Sequence, residues 1–211
     1  MTLRQKLLSF LKSFLMPLRI RFALRGRPSP FIVEVGANDG KTADPIFRTI
    51  QRNKHWRAML IEPVPHMFER LKEAYSGLER CILVNVAIAP TSGTLPIYYV
   101  VPKAKEVMPE IPDYFEQLPS FDKKNILDFL GPKGASLLRE RMVDTVPLSE
   151  LPARHQIKEV DFLQIDAEGF DFEVLKTFPF DAMKPAIVCI ENNHLSEADC
   201  AAASAMMDKH G

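Results

Sequence analysis

Short apolar runs that end at a glycine or an acid recur along the chain and predict buried parallel strands. The first covers residues 31–33 and is followed by Glu34 and then by Gly36 and Gly40. A helix signal comes next, because Pro45 precedes apolar residues at helical spacing. Strand, glycine turn and helix together predict the opening of a doubly wound α/β domain, in which ligands bind beyond the carboxyl ends of the strands.

Four further apolar runs complete the predicted, mostly parallel sheet. They cover residues 58–61, 81–88, 160–165 and 185–190. The last two end in polar and acidic residues, and neighbouring parallel strands end at the same edge of a sheet. We therefore expect these side chains to converge there: Asp166, Glu168, Asp171, Glu191, Asn192 and His194.

The turn after the first strand narrows the choice of ligand. A dinucleotide fold has G-x-G-x-x-G, with a helix N-terminus facing a pyrophosphate, whereas this turn reads E-x-G-x-x-x-G from Glu34 to Gly40. The carboxylate of Glu34 suits a cation better than a phosphate. S-adenosylmethionine has an ammonium, a sulfonium and no phosphate, so the turn favours this cofactor over a nicotinamide dinucleotide. A solvated charge at the end of the strand is the alternative for Glu34.

A second acid, Glu62, ends the second apolar run. It lies about 20 residues beyond the turn, where folds of this kind bind the two ribose hydroxyls. A carboxylate can accept a hydrogen bond from each hydroxyl. The alternative is that Glu62 only caps its own surroundings.

The regular alternation breaks between residues 89 and 152, where nine of the 17 prolines fall and disfavour long helices. Residues 95–101 and 141–146 predict two extra strands, with short helical pieces between them, one of them at 136–141. An insertion of this length is usually functional. We interpret residues 102–142 as a cap that shapes the acceptor pocket, the alternative being an elaboration away from the site.

Residues 1–28 predict a basic amphipathic helix that precedes the ligand-binding domain of residues 29–211. Leucines and phenylalanines recur at helical spacing, and every charge before Glu34 is basic. Lys12 disfavours a signal peptide, and no run is long enough to span a bilayer. The helix either packs on its own domain or a partner, or lies in the plane of a membrane.

Composition sets the remaining limits. The 211 residues are 46% hydrophobic and 26% charged, which indicates an ordinary soluble globular domain. The 27 basic and 27 acidic residues balance, so no general attraction to nucleic acid is expected. The three cysteines lack metal-ligand spacing, which favours a reduced, cytoplasmic protein, with peripheral attachment to the inner membrane surface as a variant.

The ordered motifs VEVGANDG, LIEP, NVAIAPTSGTLPIYY, VPLSEL, VDFLQIDAEGFDFEVLK and IVCIEN resemble the FkbM family of S-adenosylmethionine-dependent methyltransferases over roughly residues 31–192. The resemblance implies a Rossmann-like class I methyltransferase fold and O-methylation of a sugar, glycan or polyketide-like small molecule. By position it implies that the methionine end is held by Glu34, Gly36, Asn38 and Gly40, the ribose by Glu62 and the adenine by Val86 and Ala87, while Asp166 and Glu168 face the cofactor at the transfer site.

The carboxyl-terminal pattern departs from such folds, which close with a helix and a strand hairpin. Residues 196–210 predict the helix, and the sequence ends at Gly211. We therefore expect the hairpin to be lacking and the edge of the sheet to be covered in another way, with an oligomer left open.

The acceptor alcohol must lose its proton during methyl transfer. His194 is the first candidate base, with Asp166, Glu168 and Asp171 as further proton acceptors. Alternatively, Asp166, Glu191 and Asn192 could hold a Mg²⁺ ion that acidifies the hydroxyl. We favour a base without a required metal. Two other classes remain rivals, a nicotinamide-dependent oxidoreductase and a binding module that has lost catalysis.

Overall fold

A five-stranded parallel sheet forms the centre of the fold in a computed structural model that describes residues 19–42, 44–112, 115, 118–192 and 194–210. The strands are β1 (Phe31–Val35), β2 (Arg57–Ile61), β3 (Cys81–Val84), β4 (Ala87–Ile88), β5 (Gly93–Val100), β6 (Leu138–Val146), β7 (Phe162–Ile165) and β8 (Ile187–Ile190). The helices are α1 (described over 19–23), α2 (Pro45–Arg52), α3 (Pro65–Ala74), α4 (Ala104–Val107), α5 (Lys123–Gly134), α6 (Glu150–Arg154), α7 (Asp171–Lys176) and α8 (Glu197–His210).

The central sheet has the strand order β3-β2-β1-β7-β8, and every neighbouring pair is parallel. The chain order reverses between β1 and β7, which is where doubly wound sheets bind their ligands. This arrangement confirms the predicted doubly wound α/β fold. All five residues of β1 are buried, as expected for a central strand covered on both faces.

Alternating residues of β1 supply two separate cores. Phe31, Val33 and Val35 pack into a cluster on one face of the sheet with residues of α7 and α8. Ile32 packs on the opposite face with residues of α2 and α3. The period of two along the strand thus divides the apolar side chains between the two helical layers.

A second, three-stranded sheet has the order β4-β6-β5, with β5 and β6 antiparallel. It confirms the two extra strands predicted in the proline-rich region. Residues 101–137 connect β5 to β6 and bury a small apolar cluster of their own around Phe115 and Ile126. The predicted end of the insertion at residue 142 lies inside β6. The helical piece predicted at 136–141 is wrong beyond Leu137, because from Leu138 the backbone pairs with β5 instead.

The end of the amino-terminal helix is attached to the domain. Ile20 and Leu24 are 1% and 2% exposed and pack against Ile32 and its cluster. Arg27 forms an ion pair with Asp161, whose other carboxylate oxygen accepts a hydrogen bond from Phe31 N at 2.6 Å. The predicted helix over residues 1–18 lies outside the described residues.

Helix α8 packs back onto the sheet after β8. Ala203, Met206 and Met207 join the main core cluster, and the His210 ring stacks on Phe180 with 5.1 Å between centroids. Within the described part of the chain β8 pairs only with β7. No described helix is both long and apolar enough to cross a bilayer.

The buried side chains at the end of the amino-terminal helix should contribute to the stability of the whole domain. We expect Leu24→Ala to lower the free energy of unfolding by about 2–5 kcal/mol, because a buried leucine leaves a cavity in a core shared with β1. Phe22→Ala is the matched control: its side chain is 64% exposed, so the change should stay within about 0.5 kcal/mol. Urea unfolding of both variants measures the difference. Equal small effects would contradict the attachment.

Candidate functional site

A cavity of about 310 Å³ opens at the carboxyl ends of β1, β2 and β7. Its wall is formed by the turn after β1, the ends of the neighbouring strands, and residues 118–121 of the connection between β5 and β6. Most of the residues predicted for the site line this single cavity: Glu34, Gly36, Asn38, Glu62, Val86, Ala87, Asp166 and Glu168.

The floor of the cavity depends on a close backbone contact at Gly36. Its φ of 81° lies in the left-handed region, and a Cβ atom there would stand 1.8 Å from the carbonyl oxygen of Asp166. Gly36 N and Ala37 N both donate to Ile61 O at 3.0 Å. Glycine is therefore needed at this position, because the turn after β1 touches the end of β7 directly.

Glu34 is a buried carboxylate at the end of β1, 2% exposed. Its Oε1 accepts a weak hydrogen bond from Gln164 Nε2 at 3.4 Å, while Oε2 is buried with no hydrogen-bond partner among the described residues. Burial raises its pKa well above the usual range, and the nearby Asp44 and Asp166 raise it further. A cation beside Oε2 would relieve this unfavourable arrangement.

Glu62 is held by backbone N–H groups at the end of β2. Oε1 accepts from Val64 N at 2.8 Å and Oε2 from Asn38 N at 2.9 Å. Burial raises the pKa of Glu62 to about 7, although these two hydrogen bonds lower it. A carboxylate has about four acceptor positions, so each oxygen can still accept one hydrogen bond from a ligand in the cavity.

The segment after β7 brings further acids together. Burial, followed by the effect of Glu191, raises the pKa of Asp166 to about 7. Burial, followed by the effects of Asp166 and Glu191, raises the pKa of Glu168 to about 8. Asp171 has a different role: its two oxygens accept from Ala167 N at 3.0 Å and Gly169 N at 3.1 Å. Asp171 therefore shapes the loop, and it does not line the main cavity. Its role as an alternative base stays a prediction.

Glu168 lies between the main cavity and a smaller one of about 30 Å³. The smaller cavity is also lined by His194, whose Nε2 is 3.4 Å from Glu168 Oε2. His194 does not line the main cavity and is 45% exposed. It can therefore act on a group in the main cavity only through Glu168.

The methyltransferase FkbM domain model matches residues 34–210, which is most of the chain. The chain belongs to the FkbM methyltransferase family. This confirms the assignment made from the ordered sequence motifs. A protein named methyltransferase sdnD, from Sordaria araneosa, is 25% identical over 171 residues, covering 70% of this chain and 60% of that protein. The chain thus spans about 60% of the length of that relative.

Two further predictions for the FkbM domain concern Gly40 as a residue of the cavity and the residues that could bind a metal. Gly40 does not line the cavity: a Cβ there would stand 2.3 Å from Leu71 Cδ1, so this glycine lets the turn pack on α3. Among the described acids, cysteines and histidines, the group whose ligand atoms lie within 4.8 Å of one another is Glu168, Glu191 and His194. The predicted metal set of Asp166, Glu191 and Asn192 shares Glu191 with this group and stays a prediction.

Several residues that line the FkbM cavity were missed by sequence reasoning. Asp44 caps α2 by accepting from Ile46 N at 2.6 Å and Phe47 N at 2.9 Å, and burial raises its pKa to about 6. The Asp-Pro pair before the helix was the available signal, but it indicates only a cap. Gln164, inside β7, carried no signal, because its position relative to Glu34 is set by the strand register.

Residues of the proline-rich connection complete the site. Leu118, Pro119, Ser120 and Phe121 line the main cavity. Ser120 Oγ donates to the carbonyl oxygen of Glu168 at 3.3 Å, and the Phe121 ring meets Phe170 at 5.0 Å between centroids. These contacts hold the connection against the loop after β7, so that this part of the insertion does cap the cavity.

The raised pKa values of the cavity acids predict a pH-dependent stability. Glu168, with an ordinary pKa of 4.5 and a pKa of about 8 in the folded chain, stays protonated in the folded state where the unfolded chain has lost the proton. The stability it contributes is therefore lost as the pH rises from about 5 to 8. We expect the melting temperature of the ligand-free protein to fall over this range and to fall less in Glu168→Gln.

The matched control is Glu173→Gln, because Glu173 is a nearby, more exposed acid in α7, paired with Lys176. Differential scanning fluorimetry at constant ionic strength measures the slopes. The same slope for Glu168→Gln, Glu173→Gln and the wild type would show that Glu168 is ionised in the folded chain.

Proposed function

We propose that this FkbM-family protein is an S-adenosylmethionine-dependent O-methyltransferase that acts on a hydroxyl of a sugar, a glycan or a polyketide-like small molecule. The observation that carries the proposal is the acidic composition of the main cavity's lining. Its described lining contains five carboxyl groups and no lysine or arginine: Glu34, Asp44, Glu62, Asp166 and Glu168.

This lining favours a cationic cofactor without phosphate groups. A nicotinamide dinucleotide would bring its pyrophosphate next to Glu34 and Asp44, where like charges repel. S-adenosylmethionine fits because Glu34 Oε2 is a buried acceptor without a partner among the described residues. Asp44 and Asp166 add to the negative potential that attracts the ammonium and the sulfonium.

The opposite end of the cavity suits a nucleoside. Glu62, at the end of β2, is the acceptor for the ribose hydroxyls, and it is pre-oriented by its bonds to Asn38 N and Val64 N. This end also has an apolar wall for the adenine ring, formed by Val86, Ala87, Ile88 and Ile97. The proposed order of contacts along the cavity is therefore methionine, ribose and adenine, running from Glu34 through Glu62 to β4.

When bound, S-adenosylmethionine supplies a methyl group on a positively charged sulfur. The chain must then receive the proton that the acceptor hydroxyl gives up. We assign this role to Glu168, because it lines the main cavity and, once it has lost its own proton, it is a stronger base than an ordinary carboxylate. His194, 3.4 Å away and half exposed, passes the proton on to solvent. Asp166 supports the positive charge nearby.

The proposal requires no metal ion for proton removal. If a divalent ion is needed instead, its ligands among the described residues would be Glu168, Glu191 and His194. The free cysteines agree with a reducing cytoplasm as the place of action.

Binding of truncated ligands tests the cofactor. S-adenosylhomocysteine carries the amino acid end, and 5′-methylthioadenosine lacks it. We expect Glu34→Gln to weaken S-adenosylhomocysteine about tenfold or more, the loss of a charge-assisted contact, and to leave 5′-methylthioadenosine almost unchanged. Glu62→Gln should weaken both ligands, because both contain the ribose. Isothermal titration calorimetry of the wild type and both variants with each ligand gives the six dissociation constants.

The same titrations include NADH, which should not bind. Binding of NADH in place of S-adenosylhomocysteine would overturn the cofactor assignment. If Glu34→Gln instead lowered the affinity for both ligands equally, Glu34 would have a general structural role and would not bind the methionine end.

Transfer of labelled methyl groups to methyl glycosides and hydroxylated metabolites tests the base. We expect Glu168→Gln to lower the rate by about 10²–10⁴, and the wild-type rate to rise with pH as Glu168 loses its proton. Glu173→Gln is again the control and should keep the wild-type rate. Loss of activity with a chelator and its recovery with Mg²⁺ would contradict this assignment. Glu168 would then be a metal ligand and not the base.

A further inference from the structure

The charges of the chain are divided unevenly between its two parts. The first 27 residues contain seven lysines and arginines and no acid, so that the remaining residues carry 20 basic and 27 acidic side chains. The balanced total therefore hides a strongly basic segment joined to a net acidic domain. Such a separation creates an electrostatic dipole that orients a protein at a charged surface.

The described end of this segment has one buried and one exposed face. Ile20 and Leu24, one helical turn apart, are buried in the domain. Arg19, Arg21 and Arg25 are exposed on the other sides. Gly26, with a φ of 88°, ends the turn, and the ion pair of Arg27 with Asp161 follows directly. The exposed face is thus held in a defined orientation on the domain.

Phe22 is an exposed aromatic residue within this basic face. Its side chain is 64% exposed, and the guanidinium carbon of Arg25 lies 4.1 Å from the centre of its ring. An aromatic ring flanked by arginines suits the headgroup region of a bilayer, which accepts the ring and attracts the charges. Leu3, Leu7, Leu11 and Phe14 continue the apolar pattern upstream in the sequence, with Lys6 and Lys12 among them.

We infer that the exposed basic face around Phe22, defined by Arg19, Arg21, Phe22 and Arg25, binds the surface of a bilayer that contains anionic lipid. Charge complementarity argues for this partner, since each basic side chain near an anionic surface adds to the attraction. The apolar component argues against RNA as the main partner, because phosphate binding alone does not need a phenylalanine and a leucine series. The net acidic domain would face away from the lipid.

Sedimentation with vesicles tests the assignment on the full chain. We expect the protein to sediment with vesicles of phosphatidylcholine and phosphatidylglycerol in equal amounts, and not with phosphatidylcholine alone. Added salt should release much of it, because the attraction is screened. R19E/R21E should weaken binding by about tenfold or more, and Phe22→Ser should weaken it while salt sensitivity remains.

The matched control is K133E/R141E, which makes the same change in net charge on exposed residues of the connection between β5 and β6 and of β6. It should bind like the wild type. Thermal unfolding of each variant confirms that the domain stays folded. Binding of S-adenosylhomocysteine should be the same in all of them, so the result does not depend on the proposed enzymatic function.

Three outcomes would overturn the inference. The first is failure of the wild type to sediment with the anionic vesicles. The second is an equal loss in R19E/R21E and K133E/R141E, which would reflect net charge and not this face. The third is filter binding of an RNA homopolymer with no vesicle binding, which would assign the face to nucleic acid.

Discussion

Carboxyl groups that line a cavity without a lysine or arginine among its described residues determine the character of this FkbM domain. Glu34 and Glu62 are almost completely buried, and Glu191 lies close enough to Asp166 and Glu168 to add to the rise that burial causes in the pKa of both. Two devices make this arrangement tolerable. Backbone N–H groups bind part of the charge, as at Glu62 and Asp171, and several of the remaining acids keep their protons near neutral pH. The proposed function accounts for this cluster, because a positively charged ligand would relieve the repulsion among these acids.

The cluster exists because the parallel sheet delivers strand ends to one edge. β1, β2, β7 and β8 each end in an acid within one or two residues, and the close contact at Gly36 brings the first turn against the end of β7. The three-stranded sheet and its connection then close the open side. Ser120 and Phe121 attach that connection to the loop after β7, which places Glu168 at the boundary between the two cavities.

The amino-terminal segment has buried residues that pack on the domain and exposed residues that do not. Ile20 and Leu24 belong to the core, whereas Arg19, Arg21, Phe22 and Arg25 are exposed on the other sides of the segment. One segment can therefore pack on its own domain and also present a face to a membrane surface, so the two alternatives are compatible. Its buried residues supply the attachment, and its exposed residues remain available for a partner.

Local sequence determined the parts of this protein that depend on short-range physics. Apolar runs predicted the strands of the central sheet, and the acids that follow them predicted which side chains meet at its edge. The single strand predicted over residues 81–88 is wrong in its second half, because the chain leaves the central sheet after β3 and pairs with β6 as β4. The positions of Glu34, Gly36 and Glu62 followed from the strand–turn pattern alone. The ordered motifs were enough to identify the FkbM family, because their sequence along the chain reflects one fold.

Tertiary structure alone decided what depends on distance between separate elements. The sequence pattern predicts that Gly40 lines the cavity, but in the structure it allows the turn to pack closely on α3. Asp171 accepts hydrogen bonds from two loop amides and does not line the main cavity, and His194 approaches Glu168 without lining that cavity. Gln164 and Asp44 enter the site through strand register and helix placement. A linear pattern specifies which residues lie near a strand end, whereas the direction and contacts of each side chain are set by the elements packed against it.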